Sequence, residues 1–137
     1  MMMYSPSADR PLHHVAVAVH SIAESRALYE LLTGARCSPV ETLESQGVRV
    51  AFVGQVELVE PLSPETTVGR FLARRGPGLH HIAFRTSDIR AELRRLDDAG
   101  LQLVDREPRI GAKGHLVAFI HPSSTGGVLV ELVEDPD

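Results

Sequence analysis

Six residues of this chain repeat in a pattern that can carry chemistry: the pairs His13-His14 and His80-His81, and the carboxylates Glu57 and Glu131 inside the apolar runs VELVEP and VELVEDP. Imidazole nitrogens and carboxylate oxygens are donors suited to a divalent transition metal. An unpaired carboxylate within an apolar strand is strongly disfavoured, so Glu57 and Glu131 need a compensating partner. Two imidazoles and two carboxylates around one divalent ion form a net-neutral donor set with positions left open for water or substrate. The pattern is that of a small metal-dependent enzyme with one site built from two halves.

Strand parity selects one histidine from each pair, because adjacent strand residues point to opposite faces. His13 runs with Val15, Val17 and Val19, a bulky row suited to packing under a helix, whereas His14 runs with Ala16 and Ala18, which leave space above a sheet. His80 runs with Ile82 and Phe84, and His81 with Ala83 and Arg85. The expected metal ligands are therefore His14, Glu57, His81 and Glu131, with His13 and His80 turned away. His20, His115 and His121 have no counterpart in the other half and are read as structural or surface residues, with His115 and His121 kept as substrate contacts in reserve. Glu60 and Glu134 repeat with the opposite parity, which points to solvent or to pairing on the helix side.

The elements that must position these residues come from an internal duplication. LHHVAVAVHSI from Leu12 returns as LHHIAFRTSDI from Leu79, an offset of 67, and VELVEP from Val56 returns as VELVEDP from Val130, an offset of 74. The second copy thus holds about seven extra residues, placed in PRIGAKG from Pro108 to Gly114. Each copy opens with a strand and continues with a helix. Ser21 and Glu24 have capping-box spacing and Gly34 supplies a stop; Ser87 or Asp88 caps the second helix and Gly100 ends it. Three strand-like runs follow in each copy, at 36–40, 48–53 and 55–59, then 101–105, 116–120 and 128–133. The unit is βαβββ. Between the copies, Ser63 as N-cap and Pro64 as first helical residue open a linker helix ended by Gly76-Pro77-Gly78. The expected organisation is one domain over 1–137, with repeat one at about 12–61, the linker at about 62–78 and repeat two at about 79–137.

Composition excludes several classes. At 137 residues, 43% hydrophobic and 23% charged, the chain is one globular domain's length and lacks the roughly 18-residue apolar run of a membrane span. Pro6 and polar residues interrupt the N-terminal MMMYSPSADR, which reads as a frayed tail and not a secretion signal. A single thiol, Cys37, fits a reducing cytoplasm. The net charge of −4 is interspersed, and Arg90, Arg94 and Arg95 alternate with Glu92, Asp97 and Asp98, a solvated helical face and not a nucleic-acid patch.

Paired βαβββ units with a His in the first strand and a Glu in the last resemble the vicinal oxygen chelate (glyoxalase/bleomycin-resistance) superfamily. Within it, SQGVRVAFV from Ser45, LSPETTVGRFLARRGPGLHHIAF from Leu62 and EPRIGAKGHLVAFIHPSSTGGVLVELVE from Glu107 resemble the methylmalonyl-CoA epimerases, over about Leu12 to Glu134. The resemblance implies an α+β fold in which two tandem modules form a curved mixed sheet around a metal site. It implies epimerisation at C2 of methylmalonyl-CoA, an acyl-CoA substrate, a homodimer, and a divalent ion, cobalt first, with manganese, zinc or nickel as alternatives. The carried-over ligands are His14, Glu57, His81 and Glu131, with Glu131 also the catalytic base and the metal a Lewis acid for the enolate. Inversion needs acid-base groups on both faces. Some epimerases carry a second Glu where this chain has Val50, so Glu44, His115 or a metal-bound water stands for the opposite base. The segment Ser123–Gly127 is either a donor loop for CoA or a hairpin turn, and Arg85 is a candidate substrate contact. The same scaffold also serves glyoxalase I-like lyases and drug-binding proteins, which are the alternative functions; a ring-cleaving dioxygenase would favour iron on a three-ligand face.

Overall fold

The computed structural model describes residues 10–135, so the expected frayed tail lies outside the described residues except for Arg10, which is held by an ion pair to Glu92 at 3.0 Å. Eight strands form one mixed sheet: β1 (Leu12–Ala18), β2 (Glu41–Leu43), β3 (Val48–Val53), β4 (Val56–Pro61), β5 (Gly78–Thr86), β6 (Arg109–Ile110), β7 (Leu116–Ile120) and β8 (Val130–Glu134). Their order is β2-β3-β4-β1-β5-β8-β7-β6, so two four-stranded halves meet along the antiparallel β1–β5 seam. In each half the first strand pairs in parallel with the last, β1 with β4 and β5 with β8. This pairing sets Glu57 beside Ala16 and Glu131 beside Ala83.

Helix α1 (Ile22–Thr33) starts where the sequence signals place it: Ser21 Oγ accepts the Glu24 N–H, and Gly34 takes φ of 74° beyond the last turn. Asp88, not Ser87, caps α3 (Ile89–Asp98) by accepting the Ala91 N–H at 3.1 Å. A second acceptor reaches each helix from the last strand of its half. Glu60 Oε1 takes the Ile22 N–H at 2.8 Å, and Glu134 Oε2 takes the Ile89 N–H at 3.0 Å. A carboxylate there meets both an unpaired donor and the positive end of the helix dipole. This explains the opposite parity of Glu60 and Glu134: they serve the helix-covered face.

The linker helix α2 (Thr67–Arg75) begins later than Ser63-Pro64 suggests. Thr66 is its cap, accepting the Gly69 N–H at 3.0 Å while donating its hydroxyl to the Ser63 carbonyl at 2.8 Å. Residues 63–66 are thereby a turn, and they lie so close to the helix that a Cβ on Gly69 would stand 2.4 Å from the Ser63 oxygen.

The first of the three strands expected after each helix is displaced. Cys37 makes only a single bridge to Val53 and the strand proper is Glu41–Leu43; Leu103 makes only a bridge to Ile120 and the strand proper is Arg109–Ile110. Side chains have taken over from the ladder here. Ser38 Oγ accepts the Phe52 N–H at 2.8 Å, and its repeat mate Asp105 accepts the Phe119 N–H at 2.9 Å. Both bonds anchor phenylalanines that reappear in the site.

On the outer face, Ile22 packs with Val17, Val19, Ala51, Val53 and Leu58 under α1, and Ile89 and Leu93 with Ala118, Ile120 and Leu132 under α3. On the inner face, Val68 and Leu72 of α2 cover Ala16, Ala18, Val48, Val50 and Val59 of the first half. The second half's inner face, with Ala83, Val117 and Val133, has no such helical cover and borders the cavity. Among the described residues no helix is long and apolar enough to cross a membrane.

Candidate metal centre

The inner face of the sheet holds a cavity of about 330 Å³ whose floor carries His14, Glu57, His81 and Glu131. Register explains the convergence. Ala16 is flanked by Glu57 on β4 and His81 on β5, and Ala83 by His14 on β1 and Glu131 on β8, so each half supplies one ligand to each row. Ala16 and Ala83 are fully buried between them, and their methyl groups leave room for four longer side chains to meet above. His14 Nε2 lies 3.3 Å from Glu57 and 3.1 Å from Glu131, and His81 Nε2 lies 3.6 Å and 3.0 Å from the same two oxygens.

All four donor atoms fall within 4.8 Å of one another, and the residues are only 3 to 6% exposed. Two buried carboxylates this close repel one another and need positive charge between them. His14 Nε2 is buried without a hydrogen-bond partner, an orphan donor aimed at the common centre. Donor types, spacing and the orphan nitrogen fit a divalent metal ion, which this set could hold. Protons answer the same need when no ion is bound. Burial disfavours charge on His14, but Glu131 and Glu57 beside it outweigh burial and raise its pKa from 6.5 to about 9. Burial likewise opposes ionisation of Glu131, and the two imidazoles overcome it, holding that carboxyl well below its ordinary range.

His13 and His80 do not point away. The β1–β5 ladder carries one extra residue on each strand: His13 stands between the pairs Leu12–Phe84 and His14–Ala83, and His80 between Val17–Leu79 and Ala16–His81. A bulge of this kind breaks strict alternation and re-aims a side chain. Both rings therefore line the same cavity as their neighbours. His13 Nδ1 meets His14 Nδ1 at 2.7 Å, and His80 Nδ1 meets His81 Nδ1 at 2.8 Å. Parity nevertheless identified the histidines whose Nε2 atoms reach the carboxylates.

These contacts dictate tautomers. With Nε2 of His14 turned to the centre as a lone-pair donor, its Nδ1–H must donate to Nδ1 of His13, whose Nε2–H then donates to Asp135 Oδ2 at 2.9 Å. Among the described residues the second half lacks the terminal carboxylate. Burial first, and then the neighbouring His81, push the His80 pKa down to about 4, so that ring is a neutral acceptor packed edge-on against Phe71. Phe52 and Phe119 hold the ligand rings from the outer sides, with centroid separations of 5.3 Å from His14 and 5.2 Å from His81.

His115 lines the cavity, with Nε2 3.7 Å from Asp135, whereas Glu44 is exposed and outside the lining. Arg85 does not enter the site; its Nε donates to the Asp135 carbonyl. Residues 123–127 form a turn before β8 outside the cavity, and His121 is structural, accepting the Ser123 N–H at 3.0 Å. The extra length of the second copy lies here and not at Pro108–Gly114, because β7 keeps the offset of 67 from β3 and β8 starts only at Val130. Sequence reasoning missed Asp135, which belongs to no repeat. It also missed Phe52 and Phe119, although AFV and AFI recur at the same offset as the histidines.

A family model described as Glyoxalase/Bleomycin resistance protein/Dioxygenase superfamily matches residues 13–119. The chain is 47% identical over 127 residues to a Bacillus subtilis protein named uncharacterized protein YqjC, covering 90% of this chain and 91% of that one. It is 39% identical over 129 residues to the mitochondrial methylmalonyl-CoA epimerase of Dictyostelium discoideum, covering 90% and 77%. A solved structure of a Streptomyces coelicolor methylmalonyl-CoA epimerase variant in complex with 2-nitronate-propionyl-CoA superposes with a TM-score of 0.84 at 34% identity, covering 90% of this chain and 92% of that one.

Proposed function

The chain belongs to the glyoxalase/bleomycin resistance protein/dioxygenase superfamily, and from that premise we propose that it is a methylmalonyl-CoA epimerase, exchanging the 2R and 2S forms by removing and returning the α-proton through an enolate. The observation that carries this reading is the buried His14, Glu57, His81 and Glu131 set on the floor of a mainly apolar cavity, in a chain with epimerase relatives along most of its length. In this reading those four residues hold a divalent ion, cobalt before manganese, zinc or nickel. Such an ion supplies Lewis-acid stabilisation of the charge that develops on the thioester oxygen.

The rest of the work falls to the protein. Glu131, held ionised by the imidazoles beside it, is positioned to take the α-proton on one face. His13, His80, Phe52 and Phe119 fix the planes of the two ligand rings, so the floor keeps its shape as charge moves. Val48, Val50 and Val59 exclude water from the β3–β4 wall and strengthen every electrostatic contact inside. Because Val50 carries no carboxylate, the proton on the opposite face comes from another wall; of Glu44 and His115, only His115 reaches the cavity.

The test is solvent deuterium wash-in at C2 of methylmalonyl-CoA with metal-loaded protein. Incorporation into both epimers is expected. Exchange no greater than in the metal-free control overturns the reading, and turnover of a glutathione hemithioacetal instead would move the assignment to a lyase.

A further inference from the structure

The short turn Ala112–Gly114, which follows β6 as residues 44–46 follow β2, crosses to the other half of the molecule. Gly111 lies against β7, where a Cβ would meet Val117 at 2.9 Å, and from there the loop spans the cavity rim. Ala112 packs on the Val48, Val50 and Val68 cluster, and the Lys113 N–H donates to Glu41 Oε1 on β2 at 2.9 Å. Among the described residues Lys113 is the one non-glycine with positive φ, 59°. That conformation is unfavourable for a residue with a Cβ. Here it is held by contacts from both halves, and such held strain is most informative at ligand sites.

The Lys113 side chain lies against the cavity wall. Its Nζ sits 4.4 Å from the centroid of the Phe52 ring, the same ring that packs on His14, so the ammonium and a ligand imidazole share one aromatic neighbour. The other cation on the wall, Arg109, is matched by Asp105 at 3.3 Å. Lys113 has no carboxylate in ion-pairing range among the described residues; Glu41 receives its backbone N–H, not its amine. Two neutral imidazoles, two carboxylates and a divalent ion sum to zero, which leaves Lys113 as unmatched positive charge at the cavity. A cation resting on a ring is weakly held at an exposed position, and a carboxylate is the stronger partner.

We propose that Lys113 is a specificity-determining residue that receives the free carboxylate of the substrate's acyl group, selecting a malonyl-type thioester over a neutral acyl thioester. The assignment rests on the epimerase reading above. Proximity to His14 favours the acyl carboxylate over a CoA phosphate, because the pantetheine arm sets the phosphates far from the thioester. The repeat mate of Lys113 in the first half is the uncharged Gln46, so the grip exists on one side of the metal set only and orients the substrate in one sense.

The test compares Lys113→Met, which keeps length and loses charge, with Lys113→Arg, which keeps charge, in the metal-loaded full chain. Loss of one charge-assisted hydrogen bond raises KM for methylmalonyl-CoA roughly tenfold to hundredfold in the Met variant. The expected Met variant has kcat nearly unchanged, the Arg variant recovers most of the loss, and inhibition by free CoA stays as in the wild type. Metal affinity, measured alongside, stays unchanged and reports an intact site. An unchanged KM in an otherwise active Met variant overturns this assignment alone. Equal weakening of free CoA also overturns it, since the amine would then be binding a phosphate. Absence of exchange in the wild-type protein overturns the epimerase reading and this one with it.

Discussion

Uptake of a divalent ion by the His14, Glu57, His81 and Glu131 set must expel a proton, and the surroundings of His14 determine how strongly. In the metal-free protein its pKa stands at about 9 against an ordinary 6.5, because the two carboxylates outweigh the penalty of burial. A metal needs the neutral ring. At one pKa unit per about 1.4 kcal/mol, displacing the proton near pH 6.5 costs roughly 3 kcal/mol, and apparent affinity should climb on the order of a hundredfold between pH 6.5 and 9 before it levels off. An unperturbed histidine would level off just above 6.5. Calorimetric titration with Co²⁺ or Zn²⁺ at pH 7.5, in two buffers of different ionisation enthalpy, should report about one proton released per ion bound. Glu57→Gln removes one of the two charges and should move the plateau to lower pH. The same coupling fixes the stability of the metal-free protein. A folded pKa above the unfolded one contributes stability that is complete below pH 6.5 and is lost as pH rises through about 9, so Tm should fall across that window. Metal uptake at pH 7.5 without proton release, or an affinity flat between pH 7 and 9, would refute the electrostatic account of His14.

Two further outcomes follow from contacts away from the metal set. Asp135→Ala removes the acceptor that orients His13 and, through it, His14; metal affinity should drop about tenfold to hundredfold, in a chelator competition, while the fold is retained. Gly69→Ala places a methyl group 2.4 Å from the Ser63 oxygen and 2.7 Å from that of Pro64, both backbone atoms that cannot swing aside, so unfolding in urea should show a loss of about 1–3 kcal/mol; an unchanged midpoint would mean the Ser63–Thr66 turn yields freely.

The features legible in the sequence were those that the duplication repeats and that local chemistry dictates. Ser21, Gly34 and Asp88 announce their helix ends because capping needs only a side-chain oxygen or a left-handed residue at the boundary. Glu57 and Glu131 announce themselves because nothing but a functional partner justifies a carboxylate among valines and leucines. What stayed hidden depends on competition between near-equal local choices or on distant contacts. Ser63 and Thr66 are both sound caps, and the choice fell to the one whose hydroxyl also closes the preceding turn. The strands expected at 36–40 and 101–105 dwindle to single bridges where Ser38 and Asp105 bond the neighbouring backbone with their side chains. No pattern marks Asp135, because its partner His13 lies 122 positions away.

The paired histidines show why a repeat alone underdetermines a site. Strict alternation on β1 and β5 would send His13 and His80 to the helix side, yet a bulge on each strand, at separate points of the seam, returns both rings to the cavity. Each half thereby gains a supporting imidazole behind its ligand, and to this point the halves are equivalent. They diverge at the next contact. Behind His13 stands Asp135, while behind His80, itself held neutral by burial, stands Phe71. Above the first half stands Lys113, whose repeat mate is the uncharged Gln46. Binding a symmetric ion calls for two equal halves, but removing a proton from one face of a carbon and returning it to the other calls for unequal ones. On the proposed function, the duplicated strands supply the first requirement, and Lys113, His115 and Asp135, which differ between the halves, are where the second would be met.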